Sequence, residues 1–234
     1  LVNALLAPGA RQVRPREALQ GRKTMPEKPK PAATRQTLKL QEARIEVARR
    51  GRGRALVLLH GMDGHEASSD VVAELAKKYE VILPSLPGFA KSTLPGSITS
   101  MDDLSYLYLD LLEQLEIKNA TVMGFSVGGW LAAEIATKSC ARIRSLVLVD
   151  ALGVKFGGAY DRDIEDIYFH PAEKVQALKF ADPALDPHAD LSRLGKRDAL
   201  AVARQREAIA KLCWDPYFHN PALKYRLGRI SVPT

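Results

Sequence analysis

One short stretch restricts the fold of this chain more than any other. The run Ala120-Thr121-Val122-Met123 leads directly into Gly124-Phe125-Ser126-Val127-Gly128, and a helical pattern with small residues at Ala132, Ala133 and Ala136 follows. A serine between a strand and a helix, with glycine two residues before and two after, suits a turn tight enough to push the hydroxyl out at the top of a sheet. The serine backbone in such a turn is strained, and side chains at 124 and 128 would collide with neighbouring backbone, so glycine belongs there. The plainer alternative is a glycine-eased strand-to-helix turn in which the serine is incidental.

From about residue 41 the chain alternates short β-rich runs with helical stretches, the pattern of a mostly parallel sheet with crossover helices. Strands are predicted at 43–48, 55–60, 80–84, 119–124 and 143–150. Val72, Leu75, Ala76 and Tyr79 fall at helical spacing, and Leu104, Leu107, Leu111, Leu112 and Leu115 make a longer apolar stripe. Ser100 and Asp103 are placed to cap that second helix reciprocally. The alternation stops after Asp150. Residues 151–229 read as loops and helices, with an amphipathic stretch from Lys196 to Trp214 and Asp-Pro pairs at Asp182, Asp186 and Asp215. They are expected to form a helical lid, where substrate choice would lie.

A serine nucleophile needs donors aimed at the oxyanion it creates. A serine at a helix start offers the backbone N–H of Val127, and the predicted strand ending Leu58-Leu59-His60-Gly61-Met62 offers that of Met62 from a second direction. His60 stands at the end of its own strand, before the turn, and is expected to brace the loop rather than act as the base.

Together these motifs resemble the α/β-hydrolase superfamily. The likeness is carried by Leu59-His60-Gly61-Met62, by Leu86-Pro87-Gly88-Phe89-Ala90-Lys91-Ser92, by Gly124-Phe125-Ser126-Val127-Gly128-Gly129-Trp130 and by Leu146-Val147-Leu148-Val149-Asp150, in that order and spacing. The chain is most similar to the branch of capped serine hydrolases, which holds C–C bond hydrolases and small carboxylesterases, and the match covers about residues 41 to 234. Ala90 stands where the family usually has Gly, and Ser85 where it often has Asp. The resemblance implies an α/β fold with a mostly parallel sheet, flanking helices and a helical lid. It also implies Ser126 as nucleophile, with Val127 and Met62 as oxyanion donors. Leu227-Gly228-Arg229-Ile230-Ser231-Val232-Pro233-Thr234 resembles the lead-in to a strand whose far end carries the catalytic acid, the histidine coming later still. By that likeness residues 230–234 begin the next core strand, the chain is C-terminally truncated, and this form is weak or inactive. Asp150 is a candidate substitute acid. His65, His170, His188 and His219 read as surface or lid-packing residues.

The net charge of +7 would suggest a polyanion partner if it were spread along the chain. It is not: residues 1–54 carry 14 Lys+Arg against 4 Asp+Glu, leaving 20 against 23 for the rest. Without interleaved aromatics the basic part reads as a disordered, solvated leader over residues 1–40, and nucleic-acid binding through Arg49 to Arg54 is not expected. The chain opens on Leu1, and Met25, followed by a Pro/Lys-rich stretch, is a candidate start; an Arg-rich targeting peptide is the alternative. No apolar run is long enough to span a bilayer. Cys140 and Cys213 are too few for a disulfide scaffold, so a reducing, cytoplasmic compartment is expected. The histidines show no metal-ligand spacing, and neither metal nor cofactor is expected. The resulting expectation is a serine hydrolase acting on a small-molecule carbonyl substrate, an ester or a C–C bond next to a carbonyl. A non-catalytic, ligand-binding relative is the alternative.

Overall fold

The computed structural model describes residues 34–234 except 66, 67, 159, 160, 162, 180, 183–185 and 187–189. Six strands form one sheet: β1 (Thr34–Leu40), β2 (Ala43–Arg50), β3 (Arg54–Leu59), β4 (Tyr79–Pro84), β5 (Ala120–Phe125) and β6 (Ile143–Val149), in the order β1-β2-β4-β3-β5-β6. Pairings among β4, β3, β5 and β6 are parallel, while β2 is antiparallel to both β1 and β4. Crossovers run through α1 (Ser69–Leu75), α2 (Met101–Gln114) and α3 (Val127–Lys138).

The two-residue period of β3 explains why helices cover both faces of the sheet. Val57 and Leu59 join the core cluster containing Leu104, Leu107 and Leu111 of α2, whereas Leu56 and Leu58 meet Val72 of α1 on the other side. Burying each of these leucines contributes about 1.5–3 kcal/mol, and a strand buried on both faces reads as a continuous apolar run. The cap of α2 is reciprocal as expected: Asp103 N–H donates to Ser100 Oγ at 3.1 Å, and Ser100 N–H to Asp103 Oδ2 at 3.0 Å.

Three expectations need correction. Residues 34–40 do not belong to a leader: they are β1, paired along its whole length with β2 through a tight turn at Gln41, whose φ is 51°. The strand is mostly exposed, so its side chains carry little hydropathic signal and backbone pairing alone reveals it. Residues 1–33, including Met25, lie outside the described residues. Tyr79, placed at helical spacing with Val72, instead opens β4. The strand predicted over 43–48 continues through Arg50, so the arginine-rich run begins inside β2.

Beyond β6 come α4 (Ala172–Lys179), α5 (Lys196–Cys213) and α6 (Leu223–Arg226), with one isolated bridge, Gly153 to His219, and no strand among the described residues. These helices reach the loops at the carboxyl ends of the parallel strands. Lys179 pairs with Asp63 at 2.7 Å, and α5 lies so close to Gly88 that a Cβ there would stand 2.4 Å from that of Ala208. Residues 230–234 form no strand, but Leu146 N–H of β6 donates to Pro233 O at 2.8 Å. No helix among the described residues is long and apolar enough to cross a membrane.

Candidate active site

The residues around Ser126 allow few conformations. Ser126 precedes α3 with φ 51° and ψ −116°, a region costing a non-glycine residue about 1–3 kcal/mol. Its neighbours hold it there. Ser126 N–H donates to Val149 O at 3.0 Å, and Ser126 O accepts from Trp130 N–H and Leu152 N–H at 3.1 and 3.2 Å. A Cβ on Gly124 would come within 2.3 Å of Gly128 O, and one on Gly128 within 2.4 Å of Leu59 O and 2.5 Å of His60 O. Bare backbone at 128 therefore lets the first turn of α3 rest on the end of β3. That contact brings the Gly61 turn beside the serine, where a Cβ on Gly61 would lie 3.4 Å from Ser126 Cβ.

The backbone N–H groups of Val127 and Met62, close to Ser126, have no acceptor among the described residues. Val127 N–H is one of the four donors every helix start leaves open. The orientation of Met62 N–H comes from His60. The His60 ring, 1% exposed, donates from Nδ1 to Gly61 O at 2.7 Å, and Gly64 N–H donates to the same oxygen at 3.2 Å. In a trans peptide the carbonyl and the next N–H point oppositely, so fixing Gly61 O on one side turns Met62 N–H to the other. His60 Nε2 accepts from Leu86 N–H at 2.9 Å, which sets the tautomer. Burial lowers the His60 pKa to about 4, so the ring is neutral near pH 7. With both nitrogens engaged it braces two loops and is not placed as a base.

A family model for the alpha/beta hydrolase fold matches residues 54–195, more than half of the chain. The chain belongs to the alpha/beta hydrolase family. It is 35% identical over 111 residues to a 2-hydroxymuconate semialdehyde hydrolase of Pseudomonas sp., covering 45% of this chain and 39% of that protein. It is 35% identical over 106 residues to a pimeloyl-[acyl-carrier protein] methyl ester esterase of Aeromonas hydrophila, covering 45% and 41%. The alignments thus span less than half the length of these curated relatives. The crystal structure of a serine hydrolase involved in carbazole degradation superposes with a TM-score of 0.64 at 18% identity, covering 87% of this chain and 78% of that one, a likeness of fold alone.

None of the other described candidates is hydrogen-bonded to the serine. The Ser126 hydroxyl makes no cap bond to α3. His65 Nε2 donates to Pro84 O at 3.1 Å, His170 Nε2 faces Glu165 at 2.8 Å, and His219 Nδ1 donates to Tyr217 O at 2.8 Å. His188 lies outside the described residues. Asp150 is exposed, with φ 45°, and no described histidine bonds to it. Ala90, the residue standing for a family glycine, adopts φ 47°, the left-handed conformation glycine takes without strain. Buried Cys213 has its thiol pushed up to about 12 by burial, far from a reactive thiolate.

One polar cluster next to the site escaped the sequence. Glu134, fully buried two turns along α3, accepts from Trp130 Nε1 at 3.1 Å, from Asn220 Nδ2 at 2.7 Å and from Lys138 Nζ at 3.1 Å. It ties residue 220 to the helix that carries the serine, and Arg229 Nε adds a bond to Thr137 O. The helical spacing of Trp130, Glu134 and Lys138 was visible; the partner 86 residues away was not. A cavity of about 280 Å³ adjoins the cluster, lined in part by Trp130, Glu134, His219 and Arg226, and Ser126 is not in its wall.

Proposed function

We propose that Ser126 is the nucleophile of a hydrolase acting on a small-molecule carbonyl compound, a carboxylic ester or a C–C bond next to a carbonyl. The observation that carries this reading is the strained Ser126 backbone flanked by two backbone N–H groups without acceptors, those of Val127 and Met62. Ser126 Oγ attacks the carbonyl carbon and gives its proton to a general base. The carbonyl oxygen becomes an oxyanion held by the two N–H groups, each such donor being worth about 3 kcal/mol in the transition state. Collapse expels the leaving group, and water releases the acyl-enzyme. None of the four described histidines is bonded to Ser126, so this reading draws its base from outside the described residues. A semialdehyde hydrolase and a methyl ester esterase among the relatives support this substrate class. Residues 151–229 act as the lid in this proposal, their helices resting on the loops of Asp63 and Gly88.

A second reading, a ligand-binding protein without turnover, is favoured by that missing histidine contact. One experiment separates the two. A fluorophosphonate probe is expected to modify Ser126, mapped by peptide mass spectrometry, with p-nitrophenyl butyrate hydrolysis and labelling both lost in Ser126→Ala. Equal labelling of the variant would refute the nucleophile. Ligand retention without any probe adduct would support the second reading.

A further inference from the structure

A second cavity, of about 130 Å³, lies apart from Ser126 on the α1 side of the sheet, and two arginines stand in its wall. Arg35 of β1 and Arg50 at the end of β2 line it, with Ser69 of α1, Ser85 after β4 and the ring of His65; Ala48, Val72 and Leu83 form its apolar floor. Arg35 uses one nitrogen on Glu46, at 2.8 Å, which offsets its charge. The side chain of half-buried Arg50 has no hydrogen bond or ion pair among the described residues. Both guanidinium groups lie near enough to His65 to act on its charge state, and they add to burial and His60 in holding that ring neutral. The hydroxyls of Ser69 and Ser85 also lack partners among the described residues; so does the buried His65 Nδ1, an acceptor in the tautomer that donates from Nε2 to Pro84 O, which suits a P–O–H group of a monoprotonated guest.

Two guanidinium groups sharing one partly enclosed cavity repel each other, and an uncompensated one calls for an anion. The volume is well below the roughly 300–1,000 Å³ of pockets that take drug-sized ligands, so the guest is small. Its donors come from four separate elements around the cavity. That arrangement suits the tetrahedral oxygens of a phosphate better than the two coplanar oxygens of a carboxylate. We propose that this cavity binds a phosphate group, as inorganic phosphate or as the head of a small phosphomonoester. The guest would sit against His65, whose ring packs edge-on at 4.5 Å from His60, the residue that orients the Gly61 turn.

The test is a titration of the purified chain with sodium phosphate, methyl phosphate and sodium acetate at constant ionic strength. Calorimetry reads the heat, and ring resonances of His65 report the place. Saturable phosphate binding that is tighter than acetate and shifts the His65 signals is expected. Arg50→Gln should weaken it about tenfold or more, the worth of a lost charge-assisted bond. Ser85→Ala, a smaller change, should weaken it with an unchanged far-ultraviolet spectrum. Binding of inorganic but not methyl phosphate identifies the free ion as the guest; binding of both admits a monoester head. Absent saturation, acetate equal to phosphate, or unchanged binding in both variants overturns the proposal.

Discussion

Gly128→Ala is the sharpest probe of how the site is built. A methyl group there would meet Leu59 O at 2.4 Å, His60 O at 2.5 Å and Leu59 C at 2.6 Å, all backbone atoms of the strand that ends in the Gly61 turn. No rotamer change relieves such contacts, so α3 and β3 must part by several tenths of an ångström. Overpacking of this kind costs about 1–3 kcal/mol and occasionally more. For a domain of this size each kcal/mol lowers Tm by roughly 2–4 °C, so a fall of about 2–12 °C is expected. Gly61→Ala is the internal control, because its methyl would meet nothing closer than Ser126 Cβ at 3.4 Å. Calorimetric melts of the wild type and both variants, recorded side by side, decide the matter. If Gly128→Ala melts within a degree of wild type, or no lower than Gly61→Ala, the close approach of α3 to β3 is not what seats the serine.

Other expectations follow from the same contacts. His60 has its folded pKa depressed to about 4 by burial, against an ordinary value near 6.5, so its contribution to stability is present above pH 6.5 and lost as pH falls toward 4. The full loss is on the order of 3 kcal/mol, of which about 2 kcal/mol falls between pH 7.5 and pH 5; urea titrations at those two pH values should show it, and His60→Gln should lose less stability over that interval. Glu134→Ala leaves Trp130 Nε1–H and Asn220 Nδ2–H without their acceptor and should destabilise by about 3–5 kcal/mol, with Glu134→Gln milder. A Glu134→Ala protein as stable as wild type by urea denaturation would show that the cluster does not hold residue 220 to α3.

Where the sequence was readable, the physics was local. The serine turn was legible because its strand, turn and helix are consecutive in the chain, and Gly124 answers a contact with Gly128 only four residues on. The cap of α2 was legible for the same reason, its two partners lying three residues apart. The bracing role of His60 was readable in outline, since a histidine at a strand end facing a glycine turn has backbone within reach. The edge strand β1 was not legible, because its partners are backbone groups of β2 and its own side chains face water.

What the sequence by itself determined, then, is the class of the sheet and the serine turn, both set by short-range sterics and by apolar periodicity. Tertiary structure alone decided how far those pieces reach each other. The contact of Gly128 with β3, the pairing of Glu134 with Asn220, and the meeting of Arg35, Arg50 and His65 at one cavity join residues far apart in the chain. Such contacts depend on the packing of whole elements, which leaves no periodic trace in sequence because a side chain's partner across the core can be any residue the fold happens to deliver there.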